Sequence, residues 1–285
     1  AFCIVDFEKK LLFLARDIFG IKPLIYRVEK NFFAFSSELN ALKDLGGTNG
    51  TTGKIQAIEY FLRYQYIPAP HTIYKNIFKL EQGHFMMVDF SGKILKKEAY
   101  FKFGDTVTTD SESSKINWEQ RVEDYLKESV KAHLISDVPL GLFLSGGIDS
   151  TVIAYLLRKI SSAKIKAFTI GFNEKNYDEL KYAKQVAEKF DFDLIYEVVE
   201  PDSLAVLSHL INDHSGEPFG DASVIPTYYL SKLARQHVPL VLSGDGGDEI
   251  FGGYYSYIKW MRNYPPYVFQ KKWAQKEFAE IPRFA

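Results

Sequence analysis

With 285 residues, 46% of them apolar and 25% charged, the chain has the composition of a folded globular protein with room for two unequal domains, not that of a disordered or fibrous one. Its 35 basic and 36 acidic side chains leave a net charge of −1 and no global field for a polyanion, so neither nucleic acid nor an anionic membrane is an expected partner. A single cysteine, Cys3, excludes an internal disulfide framework and a thiolate metal cluster, and no segment approaches the length and apolarity of a membrane span.

In chain order, AFCIVD reads as a strand entered part-way, which suggests a piece of a longer protein, and LLFLAR after a charged EKK completes a hairpin signal. RVEKNFFAFSSE supplies a further apolar strand after Pro23. The stretch GGTNGTTG at 46–53 can bury little and has high conformational freedom, so a linker with the domain boundary beside it is expected there. From Ile55 to Tyr66 apolar residues recur at helical intervals until Pro68 and Pro70 end the pattern, and 73–80 and 84–90 read as two strands. Val122, Leu126, Val130 and Leu134 recur every four residues and predict a helix over 118–134. Beyond it PLGLFL, KIKAFTIGF, FDLIYEVV and VPLVLS are continuous apolar runs separated by helical patterns at 151–160, 177–190 and 224–236, the signature of buried parallel strands joined by crossover helices.

That order puts SGGIDS (145–150) between the end of a strand and the start of a helix, where open parallel sheets bind ligands. Gly146 and Gly147 let successive backbone amides converge on an anion, and Ser145 and Ser150 add hydroxyls. Asp149 would repel a bare phosphate, so its position points to a magnesium ion that the phosphate also touches. A second cluster, SGDGGDEIFGGY (243–254), follows the strand VPLVLS; there Asp248 is the better metal partner for Asp149, and Asp245 is placed to orient a substrate. A capped glycine turn is the plainer reading of either loop alone; the two together argue more strongly for a ligand site. GxxxxGK[ST] and GxGxxG are both missing, which argues against an ordinary P-loop ATPase or a dinucleotide dehydrogenase. Arg16 and Asp17 suggest a buried ion pair. His209 and His214, five residues apart, are not expected to share a helical face, and Cys3 reads as a buried core residue.

These residues resemble the asparagine synthetase family of glutamine-dependent amidotransferases. RDIFGIKPLIY and FAFSSELNAL are similar to the end of its glutaminase domain, and YIPAPHTIYKNIFKLEQGH to the entry of its synthetase domain. DVPLGLFLSGGIDS, AFTIGF, YDELKYAKQVAE, EPFGDASVIPTYYLSKLAR and LSGDGGDEIFGGY follow in family order, so the resemblance covers essentially the whole chain. It implies an α/β fold on a parallel sheet of the ATP-pyrophosphatase type flanked by helices, preceded by a remnant of an antiparallel glutaminase domain. The expected division is 1–45 for that remnant, 46–54 for the linker and 55–285 for the ATP-binding domain, cut short before the family's distal lysine.

The resemblance also implies roles. Ser145, Gly146, Gly147, Asp149 and Ser150 would cradle the phosphates of ATP with magnesium, Phe143 and Ile170 would border the adenine, and Ser243 and Gly244 would lie near the nucleotide or acyl group. Asp149 and Asp248 would hold Mg2+, and Asp245 would be the catalytic carboxylate beside the acceptor. The implied reaction joins a small carboxylate, aspartate first, to nitrogen from glutamine or ammonia through an acyl-adenylate, in the cytoplasm; a homodimer is left open. Asp245 stands where the family usually has glutamate, which keeps amidation of a sugar acid or other metabolite, as in surface-polysaccharide biosynthesis, as an alternative beside a non-catalytic fragment. The family's glutaminase nucleophile is an amino-terminal cysteine; Cys3, preceded by Phe2 in a strand, does not match it.

Overall fold

The computed structural model describes residues 1–30, 32–43, 45, 53–102, 117–173, 179–200 and 203–263. The chain opens with β1 (Phe2–Asp6), β2 (Leu11–Ala15), β3 (Ile25–Glu29), β4 (Phe32–Ser36), α1 (Asn40–Lys43), α2 (Ile55–Tyr64), β5 (Ile77–Lys79), β6 (His84–Asp89) and β7 (Ile94–Ala99). It continues through α3 (Trp118–His133), β8 (Leu140–Phe143), α4 (Ile148–Ile160), β9 (Lys166–Phe172), α5 (Leu180–Lys189) and β10 (Asp193–Val199). Then come α6 (Ser203–His209) running into a π-helical stretch (Leu210–Ser215), α7 (Val224–Arg235), β11 (Leu240–Leu242), α8 (Gly247–Phe251) and α9 (Tyr255–Asn263). Among the described residues, 1–102 and 203–222 form one compact unit, and 117–200 with 223–263 form another.

The first unit holds two antiparallel sheets, ordered β1-β2-β6-β7 and β4-β3-β5. Strand alternation distributes their apolar side chains between two clusters. Leu14, Met86 and Val88 of one sheet meet Tyr26 of the other in a common core with Leu24 and Leu80, whereas the neighbouring Ile25 points the opposite way and packs with Leu39, Leu42 and Ile77. The run expected as one strand over 27–38 is a hairpin, with β3 turning back to pair with β4. The division expected at 46–54 is not where the sheets separate, since β5 pairs with β3 and β6 with β2. Residues 55–99 are therefore bound into the same unit as 1–43 by backbone hydrogen bonds between strands far apart in sequence; most of the proposed linker, 46–52, lies outside the described residues.

The second unit is the expected α/β layer. Its sheet is fully parallel, ordered β10-β9-β8-β11, and the observed strands fall inside the four apolar runs read from the sequence. Leu142, Leu144 and Ala167 face a core built with Val130 of α3, Ala154, Leu156 and Leu157 of α4, and Ala183 and Ala187 of α5. Phe168, one residue on from Ala167, faces Leu233 and Ala234 of α7 with Val238, and Phe143 packs against that second cluster. Helices thus cover both faces, which is why the central strands β8 and β9 are mostly apolar and buried on both sides, whereas the outer strand β10 carries the exposed Asp193 and Glu197. Among the described residues, no helix is long and apolar enough to cross a membrane.

Candidate phosphate and metal site

In the sheet order β10-β9-β8-β11 the chain proceeds outward from β8 to β9 and β10, then returns to add β11 on the other side of β8. The strand order reverses between β8 and β11, and the loops leaving their carboxyl ends are SGG at 145–147 and SGDG at 243–246. Such a switch point leaves the two loops free to diverge and to face a common crevice. The topology itself therefore brings together the two clusters singled out in the sequence.

The first loop is built tightly. Gly146 has φ +82°, and a Cβ there would lie 2.5 Å from Tyr182 Cβ and 2.6 Å from the Tyr182 carbonyl carbon, so only glycine fits beneath the start of α5. Ser145 Oγ accepts from the backbone N–H of Gly147 at 3.1 Å and lies 3.1 Å from Ser150 Oγ, which donates to the Gly147 carbonyl at 3.2 Å. Ser150 is buried, and this network fixes the loop at the amino terminus of α4, a 13-residue helix whose dipole and unpaired N–H groups favour an anion.

The second loop presses on the first. A Cβ on Gly244 would be 2.9 Å from both Asp149 Cβ and the Ser150 nitrogen, and one on Gly247 would be 2.5 Å from Asp149 Cγ. The Asp149 carboxylate is thus seated directly on the Gly247 backbone, at the start of α8. Its pKa is raised, first by partial burial and then by the charges of Asp248 and Glu249. Asp245 is exposed, with Oδ2 accepting from Ser243 Oγ at 2.8 Å, and Glu249 accepts from Tyr254 OH at 2.7 Å, which pushes the tyrosine up to about 12.

Of the residues expected to form the site, Ser145, Gly146, Gly147, Asp149, Ser150, Ser243, Gly244, Asp245 and Asp248 all lie on these two loops or the first turns after them. Phe143 ends β8, and Ile170, buried in β9, shares the α7 face of the sheet with Phe168 by strand alternation. Among the described residues, no three histidine, cysteine or acidic side chains converge as a metal-binding set. Magnesium held by one or two carboxylates and completed by phosphate and water needs no such set, and the mutual repulsion of Asp149, Asp248 and Glu249 is the environment a cation relieves. The donor set therefore fits the implied ion. Sequence reading missed Gly247 and Tyr182: the first was one glycine among several, and the second lies in a helix whose periodicity was legible but whose packing against the Gly146 loop leaves no local signal.

Three expectations are corrected. Arg16 and Asp17 are not a mutual ion pair: Arg16 donates to the carbonyls of Gly20, Lys22 and Leu80, and Asp17 accepts from the N–H groups of Phe19, Ile21 and Lys22, so each organises backbone. His209 and His214 do come together, with ring centroids 5.0 Å apart, because the wider turn of the π-helical stretch brings residues five apart onto one side. Cys3 is half-buried at the margin of the sheet core, not enclosed by it, and burial still pushes its thiol up.

Comparison with known proteins divides the chain in two along the sequence, with 203–222, which packs in the antiparallel unit, falling inside the second match. The asparagine synthase family matches residues 121–283, and the glutamine amidotransferase domain matches residues 1–101, which carry both antiparallel sheets. The chain is 38% identical over 270 residues to a putative glutamine-hydrolysing asparagine synthetase 2 of Methanocaldococcus jannaschii, covering 92% of this chain and 50% of that protein. It is 34% identical over 257 residues to glutamine-hydrolysing asparagine synthetase 1 of Bacillus subtilis, covering 90% of this chain and 40% of that one. The chain thus spans half or less of the length of these relatives. With a family match over more than half of its residues, centred on the parallel sheet and both of its glycine-acid loops, the chain belongs to the asparagine synthase family.

Proposed function

We propose that this chain carries the nucleotide-phosphate cradle of an ATP-dependent amidation, in which aspartate is the acceptor and glutamine or free ammonia supplies the nitrogen. The observation that carries the reading is the seating of Asp149 on Gly247, which joins the two loops at the switch point of the parallel sheet. In this reading the acceptor carboxylate attacks the α-phosphorus of ATP, pyrophosphate leaves, and ammonia displaces AMP from the acyl-adenylate to give the amide.

The residues divide this work by their chemistry. The N–H groups at the start of α4 and the hydroxyls of Ser145 and Ser150 bind the departing pyrophosphate, whose charge grows in the transition state, so their stabilisation acts where it accelerates the reaction. Asp149 and Asp248 would hold magnesium, which when bound offsets the negative charge on the phosphates. Phe143 and Ile170 supply an apolar border for the adenine. Asp245, exposed and oriented by Ser243, receives the acceptor's amino group. Cys3, mid-strand and with a raised thiol pKa, is not assigned as the nucleophile of glutamine hydrolysis.

The test is positional isotope or pyrophosphate exchange with the full protein. Aspartate-dependent exchange of labelled pyrophosphate into ATP, lost in Asp149→Asn, is the expected result; ATP cleavage between the β- and γ-phosphates, or no dependence on a carboxylate acceptor, would overturn the reading.

A further inference from the structure

Between β10 and α7, both in the parallel unit, the chain leaves for twenty residues, and this excursion, 203–222, belongs to the antiparallel unit. It is threaded there by side chains from several separate places. Glu217 forms an ion pair with Lys79 at the end of β5, its other oxygen accepts from the N–H of Ile73 at 3.2 Å, and Lys79 also donates to the Ile67 carbonyl at 2.6 Å. Asn40 in α1 donates to the Asn212 carbonyl at 2.8 Å, and the Gly220 N–H donates to the Gln65 carbonyl at 2.7 Å. Gly216 and Gly220 are required by the closeness of the threading: a Cβ at 216, where φ is +67°, would lie 2.7 Å from Asn40 Oδ1, and one at 220 would lie 2.8 Å from Gln65 Cβ. Both members of the ion pair are largely buried, and burial pushes the Glu217 carboxyl above its usual range despite Lys79.

A buried charge pair is a poor source of net stability and a strict source of register, because removing one partner strands the other. We infer that Glu217 and Lys79 form a latch that holds the 203–222 excursion on the amidotransferase sheets, so that a shift in those sheets is passed along the chain to the amino terminus of α7 in the nucleotide unit. Glu217 is a positioning residue in this arrangement and touches no reactant. The inference deepens the amidation proposed above and rests on it for one consequence: the latch keeps nitrogen release in step with use of the nitrogen.

The experiment takes the full protein and the variants Glu217→Gln, Glu217→Leu, Lys79→Met and the double variant Lys79→Met/Glu217→Leu. Amide hydrogen exchange is read across 203–222 and the first turn of α7. Breaking the latch is expected to raise exchange over both by roughly tenfold or more, as sub-global opening replaces global unfolding as the route of exchange. The double variant should exchange no faster than Glu217→Leu, since the stranded lysine is gone. The second readout is glutamate released per amide formed: the single variants should raise this ratio about threefold or more and leave ammonia-dependent amidation within about twofold. Faster exchange confined to 203–222, with α7 unchanged, overturns the transmission. Should Glu217 variants fold poorly, Gly220→Ala, which pushes on Gln65 and spares the charges, is expected to give the same paired response. An enzyme that forms no amide from any carboxylate refutes the proposed reaction; the exchange pattern still decides the latch.

Discussion

The carboxylate of Asp149 rests against the backbone of Gly247, so close that a methyl group at 247 would stand 2.7 Å from one carboxylate oxygen and 2.9 Å from the other. The atoms in the way are the end of a short, rotatable side chain, so Gly247→Ala is expected to swing the carboxylate aside at a stability loss of about 1 kcal/mol, within the range for mild overpacking. Loss of its aim should weaken magnesium-dependent ATP binding roughly 10- to 100-fold, the scale of a lost charged interaction. Calorimetric titration beside denaturant unfolding separates the two effects.

Gly146 makes the opposite case. There the methyl would meet the backbone of Tyr182 and Ala183, which cannot rotate away, and φ is in the left-handed region. Gly146→Ala is expected to lose about 2–4 kcal/mol of stability, combining left-handed strain with overpacking, and a urea midpoint shift at unchanged m-value would register it.

Acid dependence follows from Asp149. Its folded-state pKa is raised, by burial and then by Asp248 and Glu249, so over the interval above the ordinary carboxylate value the folded protein binds more protons than the unfolded chain. Stability from this group is therefore present at low pH and lost as pH rises through the raised value. Asp149→Asn should match the parent near pH 3 and exceed it at pH 7 by less than about 1 kcal/mol, because the group is partly solvated. Magnesium should reverse that ranking: at ten times its dissociation constant it stabilises the parent by about 1.4 kcal/mol and leaves the variant unmoved. Thermal unfolding at the two pH values, with and without magnesium chloride, provides all four comparisons.

Arg27 is fully buried in β3 and holds the carbonyls of Leu42 and Lys43 together with Glu29. Arg27→Met keeps the apolar stem and leaves the Leu42 and Lys43 carbonyls without this donor, while Glu29 is exposed enough to be solvated, so a loss of about 1–3 kcal/mol is expected, the cost of stranding buried acceptors. Hydrogen exchange should place that loss in the β4-β3-β5 sheet and leave the parallel sheet protected.

Substrate choice turns on Asp245. If it receives the acceptor's amino group, Asp245→Glu carries the carboxylate about 1.5 Å further, enough to disrupt a charge-assisted hydrogen bond confined to a narrow distance range. Competition kinetics should then show a change of about tenfold or more in preference between aspartate and larger sugar acids, with ATP affinity within about twofold. Equal loss for every acceptor together with weakened ATP binding would assign Asp245 to the phosphates.

The parallel sheet was legible because its signals are local. A strand buried on both faces must be apolar along its whole length, and Leu140–Phe143 or Lys166–Phe172 can be read that way from a few neighbouring letters. The glycines and acids of the two loops were legible for the same reason. The membership of β5 and β6 in the antiparallel sheets was not, since pairing Ile77 with Arg27 or Phe85 with Ala15 leaves no trace in either segment alone. Nor was the return of 203–222 to the antiparallel unit, which depends on Glu217 finding Lys79 across 138 positions. The boundary drawn at the glycine-rich stretch followed composition, and the fold followed hydrogen bonding.

The pairing of Leu140 in β8 with Leu240 in β11 sets a clock on the birth of the site. A ribosome adding roughly 5–20 residues per second separates these two strands by about 5–20 s. Throughout that interval SGGIDS can be made and α4 wound, yet the strand that delivers Gly244, Gly247 and Asp248 is still unsynthesised. Closing such a distant pairing is also the entropically costly, slow kind of step. The nascent polypeptide therefore passes through a state in which the first glycine loop stands without the second, and the proposed phosphate cradle is completed with the docking of the three-residue strand β11.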